Sequence, residues 1–239
     1  MKLKQISILM FLLFIFGIAC APAFSEFQGA EVIGKGNIEV TPFYSSVSMD
    51  ISNSEYNEEE DENPLDTSSD GEIQTHIGVH LAYGLSDKID IRAKYEKISP
   101  TIDFGVSAKV MSLGLKYKLL SNDSYIFSIY APLTIVSMSM SLDLTDESTD
   151  DEDTSDNMNI FEPTFLLTVP IKTPFGNIDI NPSFKILIPL EEDSPDNGLV
   201  FNLGSGYNFK NFVIRPEFGV LLLEDEKYHH FGIGASYKF

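Results

Sequence analysis

Residues 72–96 read EIQTHIGVHLAYGLSDKIDIRAKYE, and the period of two in this stretch decides the fold. Ile73, Thr75, Ile77, Val79, Leu81, Tyr83 and Leu85 alternate with Glu72, Gln74, His76, Gly78, His80, Ala82 and Gly84. One face is apolar and the other is polar or small. After Ser86-Asp87-Lys88 the pattern resumes, with Ile89, Ile91, Ala93 and Tyr95 on one side and Asp90, Arg92, Lys94 and Glu96 on the other. Successive side chains of a strand point to opposite faces, whereas a helix repeats about every 3.6 residues. Two such strands with a three-residue connection predict an antiparallel hairpin.

Working outward, the same alternation predicts about ten strands, at 36–51, 71–85, 89–98, 104–120, 124–142, 158–172, 177–190, 198–209, 212–223 and 228–239, with eight and twelve as the neighbouring even counts. Long acidic connections at 52–70, 143–157, 191–197 and 224–227, and a shorter one near 99–103, alternate with brief turns at 86–88, 121–123, 173–176 and 210–211. Of the 36 acids, 24 fall in the first set. Long loops at one end and short turns at the other predict an all-β, transmembrane, antiparallel up-and-down barrel. Pro42, Pro132, Pro163, Pro170, Pro182, Pro189 and Pro216 lie inside these predicted strands and lack a ladder donor, so they weigh on the strand count.

Alternation alone does not separate a soluble barrel from a membrane one; the charge on the polar face does. Asp90, Arg92, Lys94 and Glu96 share a face, as do Lys116 and Lys118, Asp179, Ser183 and Lys185, and Arg215 and Glu217. The opposite faces read Ile178, Ile180, Pro182, Phe184, Ile186, Ile188 and Leu190, then Phe212, Ile214, Pro216, Phe218, Val220 and Leu222. A dry ligand cavity would not carry so many charges. The apolar stripes therefore face lipid, and the charged residues line the lumen. Closure follows, because every unpaired backbone group in hydrocarbon costs several kcal/mol.

The N-terminus has the layout of a secretory signal peptide: Lys2 and Lys4, an apolar run from Ile6 to Ile18, then Ala19, Ala21, Ala23 and Ser25. Cleavage after Ser25 gives a signal peptide of 1–25 and a barrel domain of 26–239, with the mature chain starting near Glu26. The rival reading, a lipidated Cys20, lacks the leucine usual three residues before such a cysteine. Cys20 is the one cysteine, so the mature chain has no disulfide or cysteine metal site available. The net charge of −20 becomes about −22 without the two signal lysines, which argues against nucleic acid as a partner.

The last strand carries a family resemblance. Phe231, Ile233, Ala235, Tyr237 and Phe239 alternate with His230, Gly232, Gly234, Ser236 and Lys238. This resembles the C-terminal assembly signal of bacterial outer-membrane β-barrel proteins, with Phe231, Ile233, Tyr237 and Phe239 in the matching positions. The stretch Gly34 to Val40 is similar to the opening strand of several such barrels. The resemblance implies a Gram-negative-type outer membrane, lipid as surroundings, and the barrel-assembly machinery as a transient partner. An even strand number places both mature termini in the periplasm and the long loops outside the cell.

No catalytic motif, cofactor site or metal site is read from the sequence. His76 and His80 share a strand face but lie roughly 13 Å apart at about 3.3 Å per residue, too far to hold one metal between them. An omptin-like surface protease would place acids and a histidine at the rim; here the acids lie in runs such as Asp150-Asp151-Glu152-Asp153 with no arrangement like that family's. Those runs, and Glu58-Glu59-Glu60-Asp61-Glu62, offer oxygen ligands for weak divalent-cation binding but lack the spacing of an EF-hand. The expectation is a non-enzymatic barrel, structural or forming a narrow channel with a charged lumen. Loop-mediated surface binding or adhesion is the second reading.

Overall fold

The computed structural model describes residues 25–49, 72–101, 106–140, 154–174, 176–191, 196–223 and 226–239. They form β1 (Ile38–Met49), β2 (Glu72–Gly84), β3 (Ile89–Pro100), β4 (Val106–Ser121), β5 (Ile126–Met140), β6 (Thr154–Phe161), β7 (Thr164–Thr173), β8 (Gly176–Pro189), β9 (Gly198–Phe209), β10 (Phe212–Leu223) and β11 (Glu226–Lys238). Neighbours in sequence pair antiparallel from β1 to β5 and from β8 to β11. β11 returns to β1, with Lys238 opposite Glu39 and Tyr228 opposite Met49, which closes the sheet. Among the described residues there is no helix.

The strand expected at 158–172 is divided into β6 and β7, and two prolines explain the division. Leu133 faces Phe161 on β6 and Tyr130 faces Thr164 on β7, so the register against β5 runs through the gap unshifted. The same holds against β8. Pro132 on β5 and Pro163 in the gap have no N–H to give. Single bonds still bridge the region, from Glu162 N to the Pro132 carbonyl and from Ile186 N to the Pro163 carbonyl, each 3.1 Å. β6 and β7 are thus one stave, and among the described residues the barrel has ten. β6 also begins earlier than expected: Thr154 to Asn157, read as the end of a loop at 143–157, belong to the strand. The rest of that loop, the loop at 52–70 and the expected signal peptide up to residue 24 lie outside the described residues.

The other strand prolines obey a simple rule. A residue in an antiparallel ladder directs its N–H and C=O toward one neighbour, so proline interrupts pairing on one side only. Pro42 stays in register with Val79 of β2 while pairing to β11 skips it. Pro216 stays opposite Ile233 while pairing to β9 lapses, and Pro182 stays opposite Leu203 while pairing to β7 lapses. The wall tolerates them without losing closure.

The faces are inverted relative to a water-soluble protein. Ile77, Leu113, Leu203 and Phe231 point outward and are more than half exposed, whereas Lys116, Lys185, Glu96 and Glu162 inside are almost fully buried. Leaving one Leu or Phe side chain in water costs roughly 1.5–3 kcal/mol relative to burial. A whole belt of them is stable only against hydrocarbon.

Candidate functional site in the barrel lumen

The lumen is occupied along its length, and its contents change character from one end to the other. At the end where the long connections leave, inward residues of nine strands form an apolar layer: Val47, Ile98, Ala108, Val110, Val136, Ile160, Leu187, Val200, Leu221 and Tyr228. Sequence reasoning, drawn to the charges, did not anticipate it. Ile98, Leu187 and Leu221 sit one or two inward positions beyond Glu96, Lys185 and Glu217 on the same strands. Tyr228 donates its hydroxyl proton to the Glu226 carboxylate, so its ring is buried while its polar end is satisfied.

Below that layer lies the chain's own N-terminal segment, residues 25–33, where the sequence predicts no strand. Ser25, Glu26, Phe27, Gln28, Ala30, Val32 and Ile33 are buried within the barrel. The wall holds the segment by its backbone. Glu26 N and Phe27 N both donate to the Glu217 carboxylate, at 2.7 and 2.8 Å. Ala30 N donates to Thr168 Oγ1 at 2.7 Å, Ser128 Oγ donates to the Ala30 carbonyl, and Lys116 Nζ donates to the carbonyls of Gly29 and Glu31. Ile33 N donates to Asp90 at 3.1 Å. The Phe27 ring stacks on Phe43, with centroids 5.0 Å apart.

Small residues make room for this insertion. A Cβ on Gly29 would lie 2.7 Å from both Asn181 Oδ1 and Thr168 Oγ1, and one on Gly232 would lie 2.5 Å from the Phe27 ring. Gly34 and Gly36, with φ of 86° and 80°, turn the chain out of the lumen and into β1. Gly36 N donates to the Gly84 carbonyl at 2.8 Å, fixing that corner at the short-turn end.

The charged residues singled out from sequence meet as follows. Arg92 pairs with Asp90 at 3.2 Å and with Glu39 at 3.6 Å; Arg215 reaches the other oxygen of Glu39 at 3.5 Å. Lys116 lies 3.9 Å from Asp90, and Lys94 lies 3.3 Å from Glu96. His76 bonds Glu96 at 2.7 Å, while His80 packs edge-on to Phe43. Lys185 joins Glu26 at 2.6 Å to Glu162 at 3.2 Å. Asp179 accepts from Asn208, and Lys118 is half-buried near the short-turn end. Glu26, Glu39 and Glu162 were missed; alternation with Thr41 and Thr164 was the signal for the last two. A cavity of about 150 Å³ remains at the short-turn end, bounded by Glu39, Arg92, Asp179, Arg215 and the backbone of the inserted segment.

On β11, Phe231, Ile233, Tyr237 and Phe239 project outward and are exposed. Phe239 N donates to the Ile38 carbonyl at 2.9 Å, at the foot of the seam with β1.

A closed barrel, apolar without and polar or packed within, is the architecture of a membrane protein that crosses with strands. Solved structures share it. The chain is similar to the beta domain of the Bordetella autotransporter BrkA, with 10% identity and a TM-score of 0.50, covering 86% of this chain and 100% of that one. It is also similar to an outer membrane channel from Pseudomonas putida F1 (10% identity, TM-score 0.45, 88% and 98% covered) and to the N-terminal β-barrel domain of Pseudomonas aeruginosa OprF (12%, 0.41, 86% and 99%). The likeness is one of fold. No protein-family model matches the sequence, and no curated protein matches it.

Proposed function

We propose that this protein is an integral outer-membrane barrel that stands closed, a rigid platform for its acidic loops rather than a diffusion pore. The observation that carries the reading is the double seal: the apolar layer at one end of the lumen and the inserted segment 25–33 below it. In this reading the short turns and both mature termini face the periplasm and the long loops face outward, where their acids attract divalent cations weakly. The outward residues of β11 serve the barrel-assembly machinery; Phe239→Ala is expected to reduce insertion while leaving export intact, and normal insertion would remove that role.

Planar-bilayer recording of the refolded protein tests the closed state. Silence is expected, and discrete conductance steps would overturn it. The cavity at the short-turn end favours a second reading, a narrow channel gated by the segment. Deleting residues 26–33 separates the two: the gated channel conducts after deletion, whereas the apolar layer keeps the platform silent.

A further inference from the structure

We infer that the mature chain begins at Glu26 and that its α-ammonium group is received inside the barrel by Glu217. The inference rests on the lumen-filling segment of the preceding section and adds what the segment's end is for. Glu217 is buried, and its two oxygens are taken by two successive backbone nitrogens, Glu26 N on Oε1 and Phe27 N on Oε2. Phe27 adopts a left-handed φ of 42°, uncommon for a residue with a side chain. Such a twist lets consecutive N–H groups converge on one anion. The segment's end is therefore shaped around a carboxylate.

Charge balance supplies an independent argument. Every other buried lumen carboxylate lies near a lysine or arginine: Glu26 and Glu162 near Lys185, Glu39 near Arg92 and Arg215, Asp90 near Arg92, and Glu96 near Lys94. Among the described residues none lies within 4.0 Å of Glu217, whose one titratable neighbour at ion-pair distance is His230 Nε2 at 3.4 Å. A buried carboxylate without a cation is costly. Cleavage after Ser25 converts the nitrogen already 2.7 Å from Oε1 into an ammonium and provides the missing charge. The uncleaved chain offers a neutral amide at the same place, so processing strengthens closure of the lumen.

N-terminal sequencing of protein taken from the outer membrane is expected to read Glu26-Phe27-Gln28; any other start overturns the proposal. A refolding comparison tests the pairing itself. Chains beginning at Glu26 and at Phe24, released from a removable tag, are unfolded with urea in detergent micelles, each with Glu217 and with Glu217→Gln. The Glu26 start is expected to raise the folding equilibrium constant roughly tenfold over the Phe24 start, the scale of a hydrogen bond to a charged group, with the advantage lost in Glu217→Gln. Equal stability of the two starts overturns the pairing, and so does an advantage that persists in Glu217→Gln. Where Glu217→Gln does not fold, Nα-acetylation of the Glu26 chain replaces it: loss of the same tenfold supports the ion pair, and no change refutes it. Conductance is a separate readout, so a leaky barrel with an intact pair overturns the closed platform and leaves this inference standing.

Discussion

The two halves of the lumen solve the same problem in opposite ways. Toward the long connections the wall fills its own interior, with Val110, Val200 and Leu221 buried in one apolar cluster. Toward the short turns the wall keeps glycines and charges, and a separate piece of chain fills the space between them. The apolar half gains from removal of surface from water and needs only shape. The polar half needs every charge answered, since breaking a buried pair costs far more than the pair contributes. The first half tolerates approximation; the second depends on particular partners.

That contrast can be broken by substitution, with unfolding in detergent micelles as the measurement. Lys185→Ala strikes the polar half where one ammonium serves both Glu26 and Glu162. A loss of about 4 kcal/mol is expected, and a loss below about 1 kcal/mol would show that the two carboxylates find other partners. Leu221→Ala opens a cavity in the apolar half and is expected to cost about 3 kcal/mol; Leu221→Met, close in volume, should restore most of it. Gly232→Ala places a methyl group against the Phe27 ring. Ser45 Cβ at 2.5 Å and the Tyr44 carbonyl at 2.8 Å crowd the same point, so the substitution should cost about 2 kcal/mol, and the part of that cost relieved in a chain lacking 26–33 measures the segment's share of the crowding. Ile77→Ala, outside the barrel, should cost about 1.5 kcal/mol, the transfer free energy of the lost apolar surface alone, because detergent fills the space and leaves no cavity.

The wall was readable because its physics is local. Alternation through residues 72–96 separates two faces with no knowledge of the partner strand, and a turn such as Ser86-Asp87-Lys88 declares itself. The division at Pro163 could not be read, because it depends on Pro132 lying beside it across the ladder. The segment 25–33 was silent for a different reason: apart from Glu26 on Lys185 and the Phe27 ring on Phe43, the wall holds it by its backbone, through Glu217, Thr168, Ser128, Lys116 and Asp90, and backbone atoms leave no mark on composition. A negative imprint did exist. Gly232 and Gly234, where a Cβ would meet Phe27, both fall on the polar face, where charges alone would not require small residues. Pairing was equally out of reach, since Glu39 and Arg215 are remote in sequence and meet only through the seam between β1 and β11.

The clasp on Glu217 also fixes an order of events. Glu26 and Glu217 are 191 residues apart in the chain, so no encounter between them is local. Between them, Asp90, Lys116, Ser128 and Thr168 each take hold of the segment from a different strand. Contacts of such long span are paid for in loop entropy before they return anything, and they form late. A segment gripped from all sides cannot slip in sideways once the wall is complete. It enters along the barrel axis or as the staves meet, and the residues at the start of the barrel's sequence are among the last to settle.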